Sequence, residues 1–180
     1  RRELGDPSVL DGWGEAPATG SGPRRRRASG PALLFVIQAG NVPGVAVTAA
    51  VRGLLVRSGV LCKAPSTEPG LLALFARELA REDPLLGRTL AVTWWPGGER
   101  PPEAEAWIRR AGTVVVYGGE SAVEAVRGRL PPSSELVVHG PRVGIGVVLP
   151  DAAREGREAR ALARDVCAYE QAGCVSPRVV

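Results

Sequence analysis

The chain has 180 residues, enough for one well-packed domain with a substantial core. Its 44% hydrophobic and 23% charged residues are ordinary for a globular protein and argue against disorder or a membrane-embedded chain. The net charge of +4 is carried almost wholly by arginine and is concentrated at Arg24–Arg27. That run has no interleaved aromatic residues, so a solvated linker is expected there rather than a nucleic-acid surface.

Three cysteines, Cys62, Cys167 and Cys174, form no C-x-x-C pair, and the chain has a single histidine. Neither a structural zinc site nor a disulfide framework is expected, and no metal is assigned. The chain contains no methionine, even at position 1, and ends soon after Cys174. It is expected to be an excerpt of a larger enzyme. No apolar run reaches the length of a membrane span and no signal-peptide core is present, so a cytoplasmic protein without a membrane span is expected.

Residues 1–30 are rich in Gly, Pro, Ser and Arg without periodicity and are expected to be a linker or the remnant of an upstream domain. Leu33 to Gln38 is an unbroken apolar run of strand length, as in a strand buried on both faces. Gly40-Asn41-Val42-Pro43 breaks it, and a helix is predicted from Val45 to Arg57, stopped by Gly59. Val60 to Lys63 forms a second strand, and Thr67-Glu68-Pro69 caps a helix through Leu71, Leu72, Phe75 and Leu79. A third strand runs from Thr89 to Trp95 and a third helix from Pro102 to Arg110. Thr113 to Tyr117 is a fourth strand, followed by Gly118-Gly119, a helix from Glu120 to Arg129, and a fifth strand from Glu135 to His139. After Gly140, Val143 to Leu149 reads as a glycine-spaced strand, and a helix from Ala152 to about Ala172 leads to Cys174. Such alternation predicts an open α/β fold with a parallel sheet covered on both sides.

In such sheets ligands collect beyond the carboxyl ends of the strands, at helix N-termini. Gly40 to Pro43, Lys63 to Thr67 and Gly118 to Ser121 occupy such places, although no G-x-G-x-x-G fingerprint is present. Lys63, the only lysine, is either a snorkelling surface residue or an ammonium facing a ribose or phosphate. Cys62 and Cys167 read as small buried hydrophobes. Cys174 follows a glycine outside any apolar face, with Gln171 and Ser176 nearby, which leaves a catalytic thiol and an inert one equally open.

Taken together, these loops resemble the aldehyde dehydrogenase superfamily, and within it the LuxC-type acyl-CoA reductases. Gly40-Asn41-Val42-Pro43 is similar to the family's asparagine–proline loop, and Cys62 to Pro69 to its lysine loop. Tyr117-Gly118-Gly119 resembles its strand-end glycine turn, Gly140 to Val143 its Gly-Pro-Lys-Ile segment, and Tyr169 to Pro177 its cysteine segment. The resemblance covers roughly residues 33–180. It implies a Rossmann-like nucleotide-binding domain over residues 31–140 and the start of a second, catalytic α/β domain over 141–180.

It further implies that Cys174 attacks a long-chain acyl-CoA or other acyl thioester, with Asn41 and the Cys174 backbone N–H as oxyanion hole. Lys63, Ser66, Gly118 and Gly119 are the implied cofactor residues. Where NAD-preferring relatives place a glutamate in the lysine loop, this chain has Ser66, so NADPH is the expected cofactor, with Glu68 close enough in sequence to compete. The segment ending the fifth strand, Val137 to Gly140, lacks the general-base glutamate of acyl-enzyme-hydrolysing dehydrogenases. That favours a reductase over a CoA-independent aldehyde dehydrogenase or a non-catalytic nucleotide-binding module. His139 is read as a structural strand-end histidine rather than a replacement base. The resemblance also implies an oligomeric full-length enzyme and acyl-transferring partner proteins of a fatty acid reductase complex.

Overall fold

The computed structural model describes residues 6–16, 24–42, 44–99, 101–148, 157–173 and 176–179. Its centre is a five-stranded, wholly parallel sheet made of β3 (Leu33–Ile37), β4 (Gly59–Lys63), β5 (Leu90–Thr93), β6 (Thr113–Tyr117) and β7 (Glu135–His139). The strands lie in the order β5-β4-β3-β6-β7, so the chain winds outward from β3 in one direction and then in the other. Adjacent strands whose connections leave in opposite directions open a crevice at their carboxyl ends, between β3 and β6.

Period-2 alternation sorts the apolar residues onto two faces. Leu34 and Val36 of β3, with Val60 and Cys62 of β4, pack beneath α1 (Val45–Leu55) and α2 (Gly70–Glu82). Phe35, Val114 and Val116 face α4 (Pro102–Arg110) and α5 (Glu120–Arg127). Phe35 is fully buried, which contributes roughly 2–3 kcal/mol of transfer free energy. A Rossmann-like α/β architecture is therefore observed, as the alternating pattern predicts.

Element boundaries differ from expectation where local chemistry intervenes. A short helix, α3 (Pro84–Gly87), was not foreseen; Asp83 starts it by accepting from the backbone N–H groups of Leu85 and Leu86. The third strand ends at Thr93, leaving Trp94 and Trp95 outside the ladder. Helix α1 ends at Leu55 and turns through Arg57, whose φ of 64° is left-handed; Gly59, expected as the stop, instead opens β4. Within residues 1–30, β1 (Gly14–Ala16) and β2 (Arg24–Arg26) form an antiparallel hairpin. Val9 is buried beneath it, and Asp11 pairs with Arg57 at the end of α1.

The C-terminal part departs most. Of the strand expected from Val143 to Leu149, only β8 (Gly144–Ile145) forms, in parallel with β9 (Pro177–Val179); Leu149 lies outside the described residues. The long helix is seen as α6 (Arg157–Cys167), which passes into a 3-10 turn at Ala168–Gln171; residues 151–156 lie outside the described residues. No helix among the described residues is long and apolar enough to cross a membrane.

Candidate active site

Two cavities open at the carboxyl edge of the sheet. One, of about 380 Å³, is lined by Lys63, Ser66, Trp95 and the facing side of α4 and α5. The other, of about 600 Å³, is lined by Asn41, Arg52, His139 and Arg142. Ala39, Tyr117 and Gly118 line both, so the ends of β3 and β6 form the saddle between them. An extended ligand crossing this saddle would use the topological switch point of the sheet.

The first cavity is built on the core. Lys63 shares a face of β4 with Leu61 and is only 5% exposed. Its ammonium donates to Ser66 Oγ at 2.9 Å and lies 5.6 Å from the Trp95 ring centroid. Burial lowers its pKa below the usual lysine value, since the charged form loses hydration. A cationic side chain held this deep, with no carboxylate partner among the described residues, is suited to an anionic ligand. Trp95 stacks on Trp107 at 5.8 Å, and Trp107 meets Phe35 edge-on at 6.2 Å, so the aromatic wall continues into the core. Glu68 points elsewhere: its Oε1 accepts from the backbone N–H of Leu71 at 2.9 Å and caps α2. Glu99, exposed at the rim, is the one carboxylate among the described residues lining this cavity.

The second cavity is more open. His139 stacks on Tyr117, with ring centroids 4.4 Å apart and 11° between planes. Burial first, then the Arg52 and Arg142 cations, pushes its pKa below the ordinary histidine value, so it is neutral near pH 7. No carboxylate is present at the end of β7, and β7 pairs with β6 so that His139 is opposite Tyr117. Gly118 donates its backbone N–H to His139 O, and Gly119 is the N-cap of α5.

Asn41 links this edge to the C-terminal part. Its Nδ2 donates to Ala172 O at 2.8 Å across 131 residues of sequence. Gly40 lets the loop after β3 press against the loop after β4, because a Cβ there would collide with Thr67 Oγ1 and Pro65. Just before Ala172, three consecutive non-glycine residues are left-handed: Tyr169 (φ 54°), Glu170 (φ 52°) and Gln171 (φ 59°). Such a run costs about 1–2 kcal/mol per residue and persists only when its surroundings hold it.

The structure thus brings Asn41, Gly118, Gly119 and His139 to one cavity and Lys63 and Ser66 to the other, with Gly118 on both. Cys174 lies outside the described residues; Ala172 and Gly173, which precede it, touch the Asn41 loop. Cys62 is fully buried, and burial pushes its thiol up to about 12, as an inert core residue requires. Cys167 is exposed at the end of α6, contrary to its reading as a buried hydrophobe, because among the described residues little chain packs against α6. Lys63 is not a snorkelling surface residue: its ammonium is drawn inward by Ser66 and Trp95. Trp95 went unrecognised as a site residue; its place just past a strand end was the available signal. Among the described residues no group of His, Cys, Asp and Glu is arranged to hold a metal ion.

Comparison with known proteins finds relatives of this chain. The chain is similar to the long-chain acyl-protein thioester reductase of Vibrio harveyi, 27% identical over 176 residues, covering 97% of this chain and 36% of that protein. The proteins of the same name from Aliivibrio fischeri (26% over 184 residues) and Photorhabdus luminescens (27% over 178) cover 99% and 98% of this chain. The chain therefore spans about 36% of the length of these curated relatives. The family model described as acyl-CoA reductase (LuxC) matches residues 1–180, reaching the N-terminal segment that the loop motifs leave out. On that match, end to end, the chain belongs to the acyl-CoA reductase (LuxC) family.

Proposed function

We propose that this chain is the nucleotide-binding and cysteine-bearing part of an NADPH-dependent reductase that converts a long-chain acyl thioester, acyl-CoA or a protein-bound acyl group, to the aldehyde. The observation that carries this is the Asn41–Ala172 hydrogen bond, which brings the oxyanion donor of the loop after β3 against the segment leading into Cys174.

Cys174 attacks the thioester carbonyl, the bond to the carrier sulfur breaks, and the carrier leaves as its thiol. The acyl group is then held as a thioester on Cys174. Asn41 Nδ2 and the Cys174 backbone N–H stabilise the oxyanion, an effect worth about 3–4 kcal/mol per donor in comparable sites. The nicotinamide, when bound, supplies a hydride. Collapse of the resulting thiohemiacetal releases the aldehyde and returns the Cys174 thiolate. No carboxylate is among the described residues lining this cavity, and the neutral ring of His139, the one group there able to accept a proton from water, is stacked on Tyr117.

The residues at the end of β4 fit an NADPH 2′-phosphate. The Lys63 ammonium and Ser66 hydroxyl form one donor pair, while Glu68, the residue able to favour a 2′-hydroxyl instead, is occupied in capping α2. Gly118 and Gly119, at the N-terminus of α5, would hold the cofactor's phosphates, carrying no side chain in the way. Acyl-transferring proteins would supply the substrate, and the full-length enzyme would be oligomeric and cytoplasmic.

In the full-length protein, a radiolabelled long-chain acyl-CoA should leave label on the enzyme, and NADPH should discharge it as aldehyde. Discharge as free fatty acid, or aldehyde oxidation without CoA, would instead identify an aldehyde dehydrogenase.

A further inference from the structure

Two consecutive indoles leave the end of β5 for the loop that carries Lys63 and Ser66. The β4–β5 pairing continues past Lys63, where the backbone N–H of Ala64 donates to Thr93 O at 2.8 Å, so Trp94 and Trp95 emerge beside that loop. Trp95 is drawn inward: it stacks on Trp107 at 5.8 Å, and the Lys63 ammonium lies 5.6 Å from its ring centroid. Trp94 is 49% exposed, and its Nε1 donates to Ser66 O at 3.4 Å. Ser66 Oγ in turn accepts from Lys63 Nζ at 2.9 Å. One indole thus meets the ammonium, and the other holds the residue whose hydroxyl the ammonium reaches. The chain then turns away, with the backbone N–H of Glu99 donating to Pro96 O at 3.3 Å and Gly98 left-handed at φ 86°. A Cβ at Gly97 would stand 3.4 Å from Ser66 Oγ, so glycine keeps the space beside the hydroxyl open.

We propose that Trp94 and Trp95 are positioning residues that set selectivity for a ribose 2′-phosphate, by holding the Lys63 ammonium and the Ser66 hydroxyl as one preorganised donor pair. This rests on the NADPH reading given above. A lysine ammonium is a point charge on a flexible stem and does not fix its own direction. The Trp95 ring attracts it, and Trp95 is itself fixed through Trp107 to the buried Phe35. Ser66 lies beyond the end of β4, and the Trp94 N–H ties its carbonyl to the end of β5. Donors already in place bind a phosphate without the loss of freedom that loose ones would suffer. A 2′-hydroxyl brings no charge to the pair, so the effect falls on the phosphorylated cofactor.

The test titrates the full-length protein with adenosine 2′,5′-bisphosphate and with adenosine 5′-monophosphate, followed by calorimetry. Tighter binding of the bisphosphate by the parent protein tests the NADPH reading; equal binding would sink that reading and this proposal with it. Given that preference, Trp94→Phe, which removes only the N–H donor, is expected to weaken bisphosphate binding about 3–10-fold. Trp95→Leu should weaken it about 5–30-fold, while Trp95→Phe, which keeps an aromatic face under the ammonium, should lose no more than about threefold. In every variant the monophosphate should bind within about twofold of the parent, since it makes no use of the pair. Trp94 is half exposed, so Trp94→Phe is expected to fold and tests its tie independently of the more deeply set Trp95. Unchanged bisphosphate affinity in Trp94→Phe, or equal weakening of both nucleotides in any variant, would overturn the proposal.

Discussion

Lys63 and Ser66 stand at the end of a strand paired on both sides and backed by the Phe35–Trp107–Trp95 aromatic series. Ala172 and Ser176 stand beyond a helix that has few neighbours among the described residues, and are tied by hydrogen bonds to Asn41 and Ala168. The first half of the candidate site is a by-product of core packing and is as rigid as the sheet. The second half is made of strained backbone and polar ties, so it is the part whose geometry single substitutions can shift without unfolding the domain. Binding of the cofactor phosphate would depend on the first half, and placement of the nucleophile on the second.

The largest effect is expected from a substitution beneath the first half. Phe35→Ala leaves a cavity under Trp107 and is expected to cost about 3–5 kcal/mol, read as a lower denaturant midpoint of the full-length protein. A cost under about 1 kcal/mol would show that the aromatic wall does not rest on the core. Next is Asn41→Ala, which should lower kcat about 10²–10³-fold with little change in thermal midpoint, since Asn41 is exposed. Unchanged kcat would detach the two halves from each other. Lys63→Met should raise the NADPH dissociation constant about 10–100-fold while leaving NADH binding within about twofold, measured by fluorescence titration. Equal weakening of both cofactors would remove the 2′-phosphate from Lys63.

The smallest effect concerns His139. Its folded pKa lies below the ordinary value of 6.5, so the unfolded chain binds the proton more readily. Its contribution is therefore complete above pH 6.5 and is lost progressively as pH falls from there to the depressed folded value. His139→Phe, which keeps an aromatic ring against Tyr117, should flatten the pH dependence of the thermal midpoint in that window. An unaltered profile would place the titration elsewhere.

Most of the sheet was legible in the sequence because strands buried on both faces leave unbroken apolar runs. Thr113–Tyr117, Glu135–His139 and Pro102–Arg110 end where expected. The loops carrying Asn41, Lys63 and Gly118 were legible because glycine and proline mark where such a sheet turns. Three things were hidden. The left-handed run at Tyr169–Gln171 has no glycine to announce it, so its residues read as a continuing helix. The capping role of Glu68 competes with a ligand role that uses the same carboxylate, and only geometry separates them. The stack of Trp95 on Trp107 joins a strand end to a helix face, a contact that spacing does not encode.

The most direct measurement is to acylate the full-length protein with a labelled long-chain acyl-CoA, digest it and identify the modified peptide. Label is expected on Cys174 alone, with none in Cys174→Ala. Label on the exposed Cys167, or label retained in Cys174→Ala, would contradict it.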